Sequence, residues 1–464
     1  MTITALLLTL TIGVIAPPDS LAAPMRADTV TEMELLIFPP AGATLPLWYR
    51  VDWGDGETLD WSGPLQSPVD ISRFHRYRKF GGYEIRVMAK DSLGRVSDWS
   101  RPVAVEVGEP IFKGMFPTEE PIVASPTLDQ NGNIYFGDES GTFYSVNPDG
   151  NLRWSFMTRG PVYGTVAITG ALVYFVSLDS SLYCLDTTGR LQWSLDLGDE
   201  LYVGPAIGKD GTVYVGTDKG QLVAVSPKGK ILWQRPVHGE VTSPPTIGPN
   251  GLIYQTADSL YCFDRKGRRR WAFAAPVGSE EEQDRPYFWG SPVIGEKGVV
   301  LVGGSDGYLY AVGSDGRMRW RSPVPDQDEI RPEVVFGPDG TGYFGSDGYY
   351  LLAWSGTGTV RVLYEADDIV SATPAVSDKG TVYFLADDGV LYARAANGRL
   401  LWKQEVAYGD KALYWTSSPT IAPDGTVYVG SWDGGLYAFR GDGPPAKSRW
   451  PQFRHDAQHT GRCE

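Results

Sequence analysis

The sequence predicts an all-β protein in which a small β-sandwich precedes an eight-bladed β-propeller. Three observations support this fold class. Apolar and polar residues alternate with period two in the first hundred residues, Asp-Gly turns recur along the chain, and a unit of roughly 40 residues repeats from residue 121 onward. Hydrophobic residues make up 42% of the 464 residues and aromatic residues 12%, which is enough to fill the cores of both parts.

The first 22 residues are predicted to be a secretory signal peptide. Residues 3–16 form an apolar run that is too short to span a bilayer, and Ser20, Leu21 and Ala22 form the small-residue pattern of a cleavage site. The mature protein is therefore expected to be secreted or periplasmic, with no membrane span.

Net charge and cysteine content narrow the classes of partner. The formal net charge of -15 disfavours nucleic acids and anionic membranes, because both repel an acidic surface. Basic proteins, cations and neutral polymers remain possible partners. The cysteines, Cys184, Cys262 and Cys463, show neither metal-binding spacing nor an adjacent pair, so packing must stabilise the fold.

Residues 31–107 are predicted to form the β-sandwich. Tyr83, Ile85, Val87 and Ala89 alternate with polar or longer residues, as in a strand with one buried face. The segment resembles the PKD-type immunoglobulin-like domain, whose W-G-D-G turn and H-x-Y…G-x-Y run are matched by Trp53, Gly54, Asp55, Gly56, His75, Tyr77, Gly82 and Tyr83. The resemblance implies a spacer or weak adhesion module.

The repeat predicts the propeller over residues 121–460, after a linker at 108–120. Most copies end in a tryptophan: Trp154, Trp193, Trp233, Trp271, Trp320 and Trp402, with Val362 in the intervening copy and an eighth copy ending near Trp450. Each unit reads as four short strands joined by Asp-Gly hairpins. The first strand is rich in small residues, because the strands converge on one axis: Ser125, Gly164, Gly204, Ser243, Ser291, Ala372 and Ser418. Either residues 108–118 or the C-terminal "RWPQFRHD" (449–456) is expected to help close the ring.

The stretches "DGTVYVGTDKGQLVAVSPKGKILW" and "WPQFRHDAQHTG" resemble the PQQ-type propeller repeat. That superfamily includes quinone-dependent dehydrogenases and the non-catalytic propeller of the outer-membrane assembly machinery. The resemblance implies that a dehydrogenase would carry an adjacent cysteine pair and a calcium ion against the quinone. This chain has no adjacent cysteines, so no PQQ is expected, calcium is left open, and Cys184 and Cys262 are interpreted as buried small hydrophobes.

Two further features of the sequence carry predictions. His455 and His459 have the i, i+4 spacing of a metal-binding helix, but without a third ligand nearby no metal is expected, and their segment is expected to pack outside a terminal blade. Arg331 and Glu333 stand in the sixth copy where other copies have small or neutral residues. They are expected either to line a wet pocket or to bridge one another.

Carboxylates and aromatic residues are predicted to share one face of the propeller. Each copy carries an acidic residue at its second turn: Asp138 or Glu139, Asp179, Asp218, Asp258, Asp306, Asp347, Asp388 and Asp433. The loops between copies add Glu200, Glu240, Glu280, Glu281, Glu282, Asp328, Glu329, Asp367, Asp368 and Asp410. A single turn aspartate more often serves the backbone than a ligand, whereas the summed charge makes the face negative. The candidate ligand-binding residues are Tyr163, Tyr202, Phe288, Trp289, Arg331, Glu333, Tyr414 and Trp415, beside Tyr287.

These residues favour a non-catalytic binding scaffold, expected to be a monomer, which engages a protein or a polysaccharide through an acidic, aromatic-rimmed face. The alternative is a carbohydrate-active enzyme, a polysaccharide lyase or hydrolase, on the same face. A quinone-dependent dehydrogenase is the third hypothesis. An enzyme predicts a deep pocket with convergent polar groups and perturbed pKa values, whereas a scaffold predicts a broad, shallow aromatic patch.

Overall fold

The structure, a computed structural model, describes residues 2–9, 25–28, 32–38, 47–65, 71–79, 81–108, 110–276, 286–325, 327–356, 358–406 and 417–463. These residues form two compact units, residues 1–111 with 400–404 and residues 112–399 with 405–464. Strands dominate both units. Within the described ranges the helical structure is one 3-10 turn, Glu296–Gly298, and no helix is long and apolar enough to cross a membrane.

The N-terminal unit contains two sheets. Its strands are β1 (Thr2–Thr9), β2 (Met25–Asp28), β3 (Glu32–Phe38), β4 (Leu47–Asp52), β5 (Thr58–Leu65), β6 (Ile71–His75), β7 (Gly81–Asp91) and β8 (Val103–Gly108). One sheet has the order β1-β3-β6 and the other β2-β8-β7-β4-β5. The alternation predicted for β7 is confirmed by the complete burial of Ile85, Val87 and Ala89. Residues 10–22 of the expected signal peptide lie outside the described residues.

The W-G-D-G turn and the histidine-tyrosine run meet in one cluster of this unit. His75 Nε2 is hydrogen-bonded to Asp55 Oδ2 (2.8 Å), and the His75 ring stacks on Trp53 with centroids 4.6 Å apart. The Tyr77 hydroxyl donates to the Trp53 carbonyl (3.1 Å). Gly54 has φ +81°, and a Cβ there would lie 2.7 Å from the backbone of Glu84. These motif residues therefore hold the turn against the sheet.

Residues 112–440 contain a β-propeller of four-stranded antiparallel sheets, eight within the described residues. Sheet 1 comprises β10 (Thr127–Leu128), β11 (Ile134–Gly137), β12 (Thr142–Val146) and β13 (Leu152–Met157), and sheet 2 comprises β14 (Ala167–Thr169), β15 (Leu172–Val176), β16 (Ser181–Asp186) and β17 (Leu191–Asp196). Sheet 3 comprises β18 (Ala206–Ile207), β19 (Val213–Thr217), β20 (Gln221–Val225) and β21 (Ile231–Pro236), and sheet 4 comprises β22 (Thr246–Ile247), β23 (Ile253–Thr256), β24 (Leu260–Phe263) and β25 (Arg269–Phe273). The two middle strands of each sheet are almost entirely buried, so the core lies between neighbouring sheets. Cys184 and Cys262 are fully buried there, as predicted.

Sheets 5 to 8 follow the same order. Sheet 5 comprises β26 (Val293–Ile294), β27 (Val300–Gly303), β28 (Tyr308–Val312) and β29 (Met318–Pro323), and sheet 6 comprises β30 (Val335–Phe336), β31 (Gly342–Gly345), β32 (Tyr350–Ser355) and β33 (Thr359–Glu365). Sheet 7 comprises β34 (Ala375–Val376), β35 (Val382–Leu385), β36 (Val390–Arg394) and β37 (Leu400–Glu405), and sheet 8 comprises β38 (Thr420–Ile421), β39 (Thr426–Gly430), β40 (Gly435–Arg440) and β9 (Phe112–Pro117). β9 lies in the segment predicted as a linker, 108–120. It pairs with β40, so the chain's entry into the propeller completes the last sheet.

The closing tryptophans join neighbouring sheets. The indole N–H groups of Trp154, Trp193, Trp233 and Trp271 donate to the carbonyls of Thr187, Pro227, Arg265 and Ser314 in the next sheet's outer hairpin. Each ring lies against a glycine of that hairpin with positive φ: Gly189, Gly229, Gly267 and Gly316. The recurring tryptophan and the recurring glycine are thus two halves of one contact between sheets.

Residues 449–463, the C-terminal plug, lie across the first strands of the sheets. Backbone N–H groups of Leu128, Ile168, Ile207, Ile247, Phe336 and Val376 donate to plug carbonyls, and the N–H of Ile421 donates to Gln452 Oε1. The expectation that this segment packs outside a terminal blade is therefore wrong. Its buried polar groups match donors and acceptors along the axis, which an outer surface does not offer.

Two plug residues are fully buried and polar. Arg454 donates to the carbonyls of Pro245 (2.8 Å) and Pro205 (3.1 Å). His459 Nδ1 is hydrogen-bonded to Thr127 Oγ1 (2.9 Å), and burial lowers the pKa of His459 to about 3, so its ring is neutral at pH 7. Among the described residues no group of three or more His, Cys, Asp or Glu side chains is placed to hold a metal ion.

Candidate functional site

A cavity of about 650 Å³ lies at the centre of the propeller. It is lined by the segments that lead into the first strands of all eight sheets, with Phe453 of the plug among its walls. Its volume is in the range of small-molecule sites. No single repeat encloses this cavity, because its lining comes from all eight sheets, so the site is a property of the whole array.

One position from every sheet forms a ring in this cavity. Each member of this ring lies three residues before the first-strand residue that bonds to the plug; in sheet 5 the corresponding strand residue is Ile294. The members, all of which line the cavity, are Ser125, Thr165, Gly204, Pro244, Ser291, Glu333, Thr373 and Ser418. The backbone N–H of Glu333 donates to Thr373 Oγ1 (2.9 Å), that of Thr373 to Ser418 Oγ (3.0 Å) and that of Ser418 to Ser125 Oγ (2.9 Å). Four of the small residues predicted near the axis, Ser125, Gly204, Ser291 and Ser418, belong to this ring, whereas Thr165, Pro244 and Thr373 each follow a predicted residue by one position. Glu333 departs from the small residues.

The Glu333 carboxyl joins the cavity to the plug. It is 2% exposed, and its Oε2 accepts hydrogen bonds from Trp450 Nε1 (2.7 Å) and the backbone N–H of Arg454 (3.0 Å). Burial raises the pKa of Glu333, while the positive charge of Arg454 opposes the shift. The Ser291 side chain also lowers the pKa of this carboxyl. The other oxygen, Oε1, accepts no hydrogen bond of good geometry in the part of the chain that the structure describes.

Arg331 stands in a group that we call the arginine wall: Trp289, Glu329, Arg331 and Asp347. The guanidinium is 2.6 Å from Asp347 Oδ2 and 3.3 Å from Glu329 Oε2, and it lies 5.6 Å from the centre of the Trp289 ring. Burial raises the pKa of Asp347 to about 6 against the opposing charge of Arg331. The expectation that Arg331 and Glu333 bridge one another is wrong, because each is held by different partners.

A second group, the acidic wall, consists of Tyr163, Tyr202, Asp218 and Glu240, which all line the cavity. The two tyrosine rings are 6.5 Å apart. Their hydroxyls donate to Glu139 (3.3 Å) and Glu200 (2.6 Å). Burial raises the pKa of Asp218, and the negative charges of Glu240, Asp199 and Glu200 raise it further. Anionic groups are therefore concentrated on this side.

The second-turn aspartates divide into two kinds. Six accept a hydrogen bond from a third-strand tyrosine hydroxyl: Asp138 from Tyr144, Asp179 from Tyr183, Asp258 from Tyr261, Asp306 from Tyr310, Asp388 from Tyr392 and Asp433 from Tyr437. These six carboxylates therefore stabilise the second turn of their sheets. Asp218 and Asp347 differ, because their sheets carry Val223 and Leu352 at the tyrosine position. The missing tyrosine was a sequence signal that separates these two.

The structure brings most of the predicted ligand-binding residues together. Tyr163, Tyr202, Trp289, Arg331 and Glu333 line the cavity, as does Tyr287. Phe288 does not, because it is 1% exposed and packs against Phe273 and Tyr310. Tyr414 and Trp415 lie outside the described residues, together with Asp410 and the Glu280–Glu282 run. Sequence reasoning missed Phe453, whose place in the cavity depends on the plug.

Several solved structures share the fold of this chain. They include BamB from Moraxella catarrhalis (16% identity, TM-score 0.58, 71% of this chain and 99% of that chain), the computationally designed Ika8 protein (17%, 0.57, 71% and 98%) and Saccharomyces cerevisiae Sqt1 (12%, 0.60, 72% and 99%). At these identities the likeness concerns the fold alone. A search of curated proteins gives no match.

A family model gives the closer assignment. The model described as "Outer membrane protein assembly factor BamB" matches residues 94–203, 179–333 and 305–445. The matched stretches include the sheets that form the ring of small residues, the acidic wall and the arginine wall. Because they run from residue 94 to residue 445 and so cover more than half of the chain, this protein belongs to the BamB-like family of propeller-repeat proteins.

Proposed function

We propose that this protein is a non-catalytic extracytoplasmic scaffold that binds a protein or a glycan at the central cavity. In this proposal the eight four-stranded sheets are the eight blades of the propeller. The observation that carries it is the cavity itself, to which every sheet contributes and around which aromatic rings and carboxylates converge. The segments that carry these groups are anchored by the strands that follow them, which suits recognition of a preformed partner surface.

The setting of the scaffold follows from the N-terminal residues and the family. The apolar run and small-residue site at residues 3–22 support export, and the matching family model is described as an outer membrane protein assembly factor. We therefore propose a secreted or periplasmic monomer. The N-terminal unit is proposed to be a PKD-type immunoglobulin-like spacer, because its turn motif forms the cluster of Asp55, His75, Trp53 and Tyr77.

A carbohydrate-active enzyme is the second candidate, because the site is a cavity rather than a shallow patch and the pKa of Asp347 rises to about 6. Glycosidases place two carboxyl groups on either side of the scissile bond. Here Asp347 and Glu329 bind the same nitrogen of Arg331. The guanidinium occupies the place that a glycosidic bond would need, so binding without catalysis is the better-supported function.

The experiment that tests the scaffold is binding of the purified mature protein to a panel of polysaccharides and envelope proteins. The site variant is Trp289→Ala with Tyr202→Ala, both in the cavity, and the control is Trp99→Ala, whose exposed ring lies in the other unit. A partner that is lost only by the site variant, at unchanged melting temperature, is the expected result. Binding that survives the site variant, or bond cleavage in a bound polysaccharide, contradicts the proposal.

A further inference from the structure

The arginine wall shows how this cavity holds a cation. Arg331 is held by two carboxylates, at 2.6 Å and 3.3 Å, and its guanidinium lies over the Trp289 ring. Carboxylates satisfy the charge and the N–H donors, and an aromatic face adds a cation–π attraction. The Arg331 side chain is about one-fifth exposed, so the cavity accommodates a guanidinium that is largely removed from water.

The acidic wall offers the same kinds of groups without the cation. Asp218 and Glu240 line the cavity together with Tyr163 and Tyr202, and within the described ranges no lysine or arginine forms an ion pair with either carboxylate. The nearby Lys219 pairs instead with Asp199 (3.2 Å). Asp218 also lacks the tyrosine that holds its counterparts in six other sheets. Turn stability therefore does not account for the Asp218 carboxylate.

A third group faces the same cavity. Glu333, which is 2% exposed, belongs to the ring of small residues, and its Oε1 is the oxygen that accepts no hydrogen bond of good geometry. A buried acceptor without a donor costs free energy. A donor entering from the cavity would remove that cost, and a cationic donor would be attracted by the carboxylates that it passes.

We propose that the acidic wall binds a lysine or arginine side chain of a protein partner that inserts into the cavity towards Glu333. This inference rests on the proposed scaffold function and names its partner's chemistry. Phosphate, sulfate and uronate groups are excluded by like-charge repulsion from Asp218 and Glu240. A neutral sugar could stack on the tyrosines, but it would leave the two carboxylates without counter-charge.

The test uses the mature full-length protein and a fluorescein-labelled heptapeptide that contains three lysines, alternating with glycine and serine. The same peptide with norleucine in place of lysine controls for the aliphatic part. The site variant is Asp218→Asn with Glu240→Gln. Its matched control is Asp98→Asn with Asp149→Asn, which changes net charge equally at two exposed positions outside the cavity lining. Fluorescence anisotropy is measured at low and at physiological salt, and circular dichroism checks folding.

The expected result is binding of the lysine peptide, at least tenfold weaker binding by the site variant, less than twofold change in the control variant, and no binding of the norleucine peptide. Three results would overturn the proposal: no binding of the lysine peptide, equal loss in both variants, or equal binding of the norleucine peptide. A different result is binding of a panel protein that depends on Trp289 but is unchanged in the Asp218→Asn/Glu240→Gln variant. That result would support the scaffold function and refute only this inference.

Discussion

Glu333 occupies a position at which the other sheets carry a small or rigid residue: Ser125, Thr165, Gly204, Pro244, Ser291, Thr373 and Ser418. A carboxylate this deep is tolerated because Trp450 and the Arg454 backbone donate to it. One substitution in one repeat thereby breaks the symmetry of the ring and fixes which sheet this part of the plug contacts. A residue that departs from its repeat equivalents is in this case a contact to the plug.

Replacing Glu333 by alanine should destabilise the protein by about 3 kcal/mol, because two buried donors lose their acceptor. Glutamine keeps an oxygen at the same place, so Glu333→Gln should stay within about 1 kcal/mol of the parent protein. Urea unfolding followed by tryptophan fluorescence measures both. Equal stability of the alanine and glutamine variants would show that Trp450 and Arg454 do not depend on this acceptor.

The Asp347 carboxyl should give the protein a pH-dependent stability. Because burial raises its pKa from 3.8 to about 6, the folded chain holds this proton more tightly than the unfolded chain. The free energy of unfolding must then fall as pH rises through that window, by roughly 2–3 kcal/mol relative to Asp347→Asn. Urea unfolding at pH 4, 5, 6 and 7 compares the two proteins.

Asp315→Asn supplies the control of opposite sign. Hydrogen bonds from the Arg317 backbone and Arg319 lower the pKa of Asp315, so its contribution is complete above the unfolded value and is lost only in more acidic solution. Its difference from the parent protein should be constant between pH 5 and pH 7. A constant difference for Asp347→Asn as well would contradict the assignment of a raised pKa.

At the scale of elements, the sequence is informative where contacts are local or repeated. Tryptophans about 40 residues apart and Asp-Gly hairpins indicate the sheets, since each pattern has a local physical cause. The pairing of Trp193 with Gly229 was not predicted, because nothing within one repeat reveals that its last strand contacts the next hairpin. Sorting Asp218 and Asp347 from the other turn aspartates required comparison with the third-strand tyrosine.

Gly229→Ala tests the contact between neighbouring sheets. Gly229 has φ +72°, and an added Cβ would lie 2.7 Å from the Trp193 ring. Left-handed backbone costs an alanine about 1 kcal/mol, and overpacking adds about 1–3 kcal/mol. Gly150, in the equivalent hairpin of sheet 1, has φ +82° with nothing within 4 Å, so Gly150→Ala should incur only the backbone cost. Thermal and urea unfolding compare the two variants, and equal losses would refute a role for the tryptophan contact.

The whole molecule depends on both ends of the propeller segment. β9 completes sheet 8 with a strand that precedes sheet 1, and the plug binds first strands that are spread over some three hundred residues of sequence, from Leu128 to Ile421. The sequence indicated that the ends take part in closure without resolving which does what. The plug has no periodicity of its own, and its hydrogen bonds join residues far apart in the chain, so no local pattern predicts them.

Removing residues 447–464 should therefore destabilise the propeller while leaving its repeats intact. The buried N–H groups of the first strands lose their acceptors, and each such loss costs about 1 kcal/mol even when water partly replaces the partner. We expect the free energy of unfolding, measured with urea, to fall by at least about 3 kcal/mol.

A synthetic peptide of residues 447–464, added to the truncated protein, should restore the free energy of unfolding in proportion to the logarithm of the peptide concentration, because the peptide binds only the folded state. The same peptide carrying Arg454→Ala should restore less, since it lacks the donors to Pro205 and Pro245. Unchanged stability after truncation would show that the plug covers the axis without supporting it, and rescue that is equal for both peptides would remove Arg454 from its anchoring role.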